Sequence, residues 1–251
     1  MALRSTFAGC SDIGHHRRSN QDRWYVHSDL GLAAVADGMG GLPHGDEAAQ
    51  TAITALAARL LDGVPATPTG WRALLDTINL EVLGLGRLLS PKSGIGSTLT
   101  IARVHDHRLQ FAHVGDSALF RLRAGRLEQL TCEHTVASEI LARRATGLWE
   151  PMPPDAAHVL TSCIGLPNLP LADVGETDLQ AGDCLLLCTD GLTKPVQARA
   201  IREILALADS PDAAAQSLVD LANAEGGPDN ITAVVAFVAE SGAEVLASSV
   251  S

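Results

Sequence analysis

Four aspartates stand where carboxylates could converge: Asp37 in AVADGMGG, Asp116 in AHVGDS, Asp190 in LLLCTDGL and Asp229 in GPDN. The first three follow apolar runs of strand character, and Asp229 immediately precedes one, ITAVVAFV. Carboxylates gathered at sheet ends supply hard oxygen donors and leave room for water, the coordination that suits Mg²⁺ or Mn²⁺. Taken singly each says little, because Asp-Gly is also a common turn dipeptide. A second group lies upstream, where Gly14-His15-His16-Arg17-Arg18-Ser19-Asn20-Gln21-Asp22 sets two arginines close to a carboxylate. A guanidinium can grip a phosphate with two hydrogen bonds, although a solvated basic turn is the plainer reading of this stretch by itself. In Asp37-Gly38-Met39-Gly40-Gly41 the glycines allow the backbone to approach a ligand and offer it a carbonyl oxygen. The spacing is neither the GxGxxG of a dinucleotide site nor a Walker loop.

The elements that must hold these residues follow from periodicity. Residues 22–28 and 31–36 read as strands joined by a tight Asp-Leu-Gly turn. Ala49, Ala52, Ile53, Leu56, Ala57 and Leu60 recur at helical steps, as do Trp71, Leu74, Leu75, Ile78, Val82 and Leu85 after the loop GVPATPTG. A cluster of short strands comes next: STLTIARV, RLQFAHV, ALFRLRAG and RLEQLT, separated by turn signals. From Glu133 to about Thr161 the chain reads as a short helix around Ser138–Arg144 followed by a proline-rich surface loop. CLLLC is an apolar strand; helices over 196–208 and 211–224 follow, the second begun by Ser210 and Pro211. ITAVVAFV is the last strand, and 241–251 reads as a flexible tail. Strands in meanders and helices in pairs predict antiparallel sheets with helices outside them, in one domain over about 1–240.

Composition bounds the function. The chain has 251 residues, 46% of them hydrophobic but only 3% aromatic, so Ala, Leu and Val must fill the core. A net charge of −11 argues against nucleic acid and against an anionic membrane surface as partners. A phosphate group can still be bound where metal ions supply the positive charge. Cys10, Cys132, Cys163, Cys184 and Cys188 are odd in number and contain no CxxC pair, which suggests a reducing, cytoplasmic setting. The N-terminal stretch lacks the apolar run of a signal peptide, and no run approaches the ~20 apolar residues of a membrane span.

Seven motifs in order, SDIGHHRRSNQD, AAVADGMGGLPHGDEAA, GIGSTLTIA, LQFAHVGDSALF, LTCEHT, LLLCTDGL and GPDNITAVV, span about residues 5–238. In this order they resemble the metal-dependent protein phosphatases, the PPM family of type 2C serine/threonine phosphatases, in its bacterial form. The resemblance implies an α+β, four-layer α-β-β-α sandwich with a two-metal centre in a cleft at one end. It implies that Asp37 bridges two Mn²⁺ or Mg²⁺ ions, that the carbonyl of Gly38 ligates one, and that Asp190 and Asp229 complete the pair. Asp22 would act through ordered water, Arg17 would hold the substrate phosphate, Asp116 would help to hold a third, weaker metal, and Asn230 would orient its loop. A hydroxide bridging the metals would attack phosphorus in line with the leaving serine or threonine oxygen. No covalent intermediate, and therefore no cysteine nucleophile, is needed. The substrate would be a phosphorylated protein, the counterpart a bacterial serine/threonine kinase or its target, and the enzyme a monomer.

Four positions depart from the family's pattern: Met39 stands where some members carry a histidine, Ala118 where an arginine is usual, and Glu133 and Lys194 where aspartates are usual. They leave the leaving-group acid open between a metal-bound water, His44 and another residue, and they bear on the third metal. Residues 136–160 correspond to the flap of bacterial members, where Trp149 could meet a partner or anchor its own loop. A phosphatase-like binding module without turnover would need a lost ligand, and none is missing. A small phosphorylated metabolite as substrate stays open, because the flap offers no sequence rule against it.

Overall fold

Strands with no polar face build the centre of the protein. The computed structural model describes residues 3–39 and 42–241, so Gly40, Gly41 and all of the expected tail beyond Ser241 lie outside the described residues. In chain order the elements are β1 (Leu3–Asp12), β2 (Asp22–His27), β3 (Leu32–Asp37), α1 (Gly45–Leu60), α2 (Pro68–Leu89), β4 (Leu99–His105), β5 (Arg108–Val114), β6 (Ala118–Arg123) and β7 (Arg126–Gln129). There follow α3 (Val136–Ala145), β8 (Asp173–Asp178), β9 (Cys184–Cys188), α4 (Asp190–Thr193), α5 (Ala198–Leu207), α6 (Pro211–Ala224) and β10 (Ile231–Glu240). The strands form two five-stranded sheets, in the orders β1-β10-β9-β6-β7 and β2-β3-β4-β5-β8. Neighbouring strands in both sheets run antiparallel.

Alternation along each strand sorts side chains into layers. In β10, Val234, Ala236 and Val238 lie between the sheets with Leu185 and Leu187 of β9 and Ala33 and Val35 of β3. The residues between them, Ala233 and Val235 with Leu186, face α5 and α6. Leu32, Ala34 and Ala36 of β3 pack against α1 and α2 on the other side. This is the four-layer α-β-β-α sandwich, and it explains the runs LAAVA, LLLC and AVVA: a strand covered on both faces has no polar side to show.

Local signals set the boundaries. The Thr67 hydroxyl accepts from the Gly70 amide to open α2, and Ser210 accepts from Ala213 to open α6, each with proline at the first helical turn. The expected Asp-Leu-Gly turn is a single 3₁₀ turn, Ser28–Leu30, closed by Gly31 at φ 62°. The helix expected over 196–208 is α5, Ala198–Leu207, and a short helical turn with no expectation behind it, α4, precedes it at Asp190–Thr193. Two strands have no expectation behind them. β1 (LRSTFAGCSD) is half polar and becomes a strand by pairing along its whole length with β10. β8 (DVGETD) is a polar edge strand that takes its identity from β5. Among the described residues no helix is long and apolar enough to cross a membrane.

Leu187 has no exposed surface in the layer between the sheets. Leu187→Ala should cost about 2–5 kcal/mol of stability in urea denaturation; a cost below about 1 kcal/mol would contradict the inter-sheet packing.

Candidate metal centre

Antiparallel topology brings the aspartates to one end of the sandwich. Asp37 ends β3 and faces Asp22, the first residue of β2, directly across the strand pair. The next strands put Leu99 of β4 opposite Val114 of β5, at the same edge. From there the chain crosses to the other sheet through Gly115-Asp116-Ser117, and β6 opens with Ala118 opposite Cys188 at the end of β9. Thr189 and Asp190 follow β9, and Asp229 and Asn230 precede β10, the neighbour of β9.

These ends surround a cleft of about 390 Å³ lined by Arg17, Asp37, Gly38, Asp116, Asp190 and Asp229, together with Met39, Thr98, His158, Leu160 and Lys194. Asp37, Asp116 and Asp190 each bring one carboxylate oxygen within 4.8 Å of the others'. Asp22 is not among the lining residues. It is buried behind them, with one oxygen, Oδ2, accepting from the hydroxyls of Thr189 (2.8 Å) and Thr232 (2.7 Å). Its other oxygen, Oδ1, and Oδ1 of Asp190 are buried without a hydrogen-bond partner.

The close approach of these segments relies on two glycines. A Cβ on Gly38 would stand 2.1 Å from the carbonyl oxygen of Gly45, and one on Gly191 1.9 Å from that of Asn230. Hydroxyls fix the backbone around Asp37: its amide donates to Thr98 Oγ1 (2.9 Å) and its carbonyl accepts from Ser97 Oγ (3.0 Å). The Asn230 side chain accepts from the Gln21 amide (2.8 Å) and donates to the carbonyls of Ile13 (2.9 Å) and Ser19 (3.0 Å). It therefore clamps the loop that carries Arg17 and does not face the cleft. Arg17 Nη2 donates to Asp229 Oδ2 at 2.7 Å, which leaves other guanidinium donors for a ligand.

Electrostatics marks the cluster as short of positive charge. Burial, with the neighbouring Asp22, Asp190, Asp116 and Asp229, holds the Asp37 carboxyl well above its usual range. Burial raises Asp22 to about 7 against the pull of its two threonine hydroxyls, and burial with the Asp190 charge raises Asp116 to about 7. An all-oxygen donor set with unpartnered buried oxygens and disfavoured ionisation fits a divalent cation. Among the described residues no cysteine lines this cleft. Burial pushes the thiols of Cys163 and Cys184 up to about 11 and about 12, away from nucleophilic use.

Several sequence departures find their place. Met39 and Lys194 line the cleft, whereas Ala118 is buried in the layer beneath β9. His44 sits at the start of α1 with Nδ1 3.0 Å from Glu47 Oε1 and is not a lining residue. Sequence reasoning missed His158, which a 3₁₀ turn (Ala156–His158) brings to the cleft, 3.0 Å from Lys194 Nζ. No local pattern marks that histidine, because its neighbour is 36 positions away.

The sequence profile described as Protein phosphatase 2C matches residues 14–221. The chain is 33% identical over 244 residues to protein phosphatase PhpP of Streptococcus pneumoniae, covering 93% of this chain and 98% of that one. It is 34% identical over 239 residues to the serine/threonine protein phosphatase PstP of Mycobacterium tuberculosis, covering 93% of this chain and 45% of that protein. Among solved structures, the catalytic domain of PstP in complex with two manganese ions superposes with a TM-score of 0.81 at 33% identity, over 95% of this chain and 100% of that one. PppA, a regulatory component of T6SS in Pseudomonas aeruginosa, superposes with a TM-score of 0.77 at 30% identity, over 94% and 99%. Fold and cleft thus define a protein of the metal-dependent phosphatase class. The chain belongs to the protein phosphatase 2C family of serine/threonine phosphatases.

A carboxyl whose folded pKa is raised binds a proton that the unfolded chain has already released, so between the two values stability falls as pH rises. For Asp22 that window runs from about 4 to about 7. In chelator-treated protein, Asp22→Asn should therefore gain stability over the parent across this window. Thermal melts showing no pH-dependent difference would contradict the buried, charge-crowded position of Asp22.

Proposed function

We propose that this chain hydrolyses phosphoserine and phosphothreonine in proteins, using two Mn²⁺ or Mg²⁺ ions held by Asp37, the Gly38 carbonyl, Asp190 and Asp229. The observation that carries the reading is the crowding of Asp37, Asp116 and Asp190 oxygens in a cleft that also holds Arg17. The manganese ions of the PstP catalytic domain, a structure of the same fold, support it. Bound there, the ions would acidify a water to near neutrality and offset phosphoryl charge.

The chain's own residues do the rest. Arg17 stands at the cleft mouth, already oriented by Asp229, so a phosphoryl group meets a guanidinium that needs little further ordering. Asp22, paired with Asp37 across the strands, keeps one oxygen tied to two hydroxyls and has the other unpartnered, through which it would act by way of an ordered water. Asp116 lies beside Asp190, at the crossing between sheets, where it can take up charge at the edge of the site. His158, with Nδ1 accepting from Lys194, carries its proton on Nε2 and is better placed than His44 to protonate a leaving oxygen.

The substrate is a phosphorylated protein, and the role is to reverse a serine/threonine kinase by acting on it or its targets. Residues 1–240 work as one domain whose flap, at about 136–160, meets the substrate beside the cleft. A cleft complete within one chain suits a monomer, and five free cysteines suit the cytoplasm.

Turnover of p-nitrophenyl phosphate and of a phosphothreonine peptide should require added Mn²⁺ and stop with chelator; folded protein inert under both conditions would end this reading. Asp37→Ala or Asp190→Ala should abolish activity, whereas Asp116→Ala should retain part of it. Arg17→Ala should lower kcat/KM by about 10²-fold, measured by initial rates over substrate concentration.

A further inference from the structure

Lys194 places a positive charge in the cleft wall, against the carboxylate of Asp190. It follows α4, four residues after Asp190, and its ammonium donates to Asp190 Oδ2. On its other side it donates to His158 Nδ1 at 3.0 Å. The group is thus gripped from the helix and from the flap, and it stays within the cleft lining. Its charge is also felt by Asp116 and Glu133, whose carboxyls it favours in their ionised form against the effect of burial.

A divalent ion between Asp116 and Asp190 would need the Asp190 oxygen that Lys194 occupies, or would have to sit next to the ammonium. The first course breaks a charge-assisted hydrogen bond; the second sets two cations side by side in a partly desolvated cleft. Lys194 donates no hydrogen bond to Asp37 or Asp229, and it leaves Oδ1 of Asp190 without a partner. We propose that Lys194 is a resident cation that takes the charge-balancing place beside Asp116 and Asp190, so that this chain holds two divalent ions and excludes a third. The inference rests on the two-metal reading above and deepens it.

Equilibrium dialysis of the full chain against Mn²⁺, with metal counted by atomic absorption, tests it. Wild type should saturate at two ions per chain, and Lys194→Arg, which keeps the charge, should match it. Lys194→Gln and Lys194→Asp should each take up a third, weaker ion, and Lys194→Gln with Asp116→Asn should return to two. Wild type binding three ions, or both uncharged and acidic variants staying at two, would overturn the inference and leave the two-metal reading intact. Wild type binding none would overturn both. If Lys194→Asp fails to fold, the count for Lys194→Gln against Lys194→Arg decides.

Discussion

Keeping like charges together is the task around which this molecule is organised. Four carboxylates line one cleft and a fifth is buried behind them, although burial and neighbouring charge oppose the ionisation of Asp37, Asp22 and Asp116. The arrangement persists because each carboxylate is mounted on a segment fixed by something else. Asp22 and Asp37 are opposed in a strand ladder, Asp190 follows a strand whose five residues are all buried, and Asp229 is held by the clamp of Asn230. The large apolar layers on either side supply the free energy that tolerates this local cost.

The parts legible in the sequence were those whose cause is local. Strands covered on both faces announce themselves as apolar runs, and capped helices announce their starts, as Ser210-Pro211 does for α6. β1 and β8 were not legible, because their strand character is conferred by the neighbour they pair with rather than by their own pattern. The same division holds for the cleft. Asp22, Asp37, Asp116, Asp190 and Asp229 stand in recognisable motifs, and the structure brings four of them together with the fifth directly behind. Contacts such as Arg17 with Asp229 and His158 with Lys194 join segments that only tertiary packing brings near, and a linear pattern cannot carry them.

Two cations temper the cleft in different ways. Arg17, more than a third exposed, presents a multidentate group at the entrance, where an incoming anion can share it with Asp229. Lys194, about as exposed, is tied to Asp190 and to His158, and acts on the carboxylates themselves. One charge is arranged for an arriving ligand and the other for the resident acids, so equal charge at the two positions does not mean equal use.

The crossing at Gly115-Asp116-Ser117 has a mechanical consequence. Asp22 and Asp37 belong to one sheet, Asp190 and Asp229 adjoin the other, and Asp116 lies on the strap between them. An ion held among these residues would rivet the open end of the sandwich, joining two layers that elsewhere meet through apolar side chains and, at one edge, through Arg121 and Arg123 of β6 bonded to β8. Binding energy would then act as a clasp against the sheets parting, with a strength set by free metal concentration rather than by the chain alone.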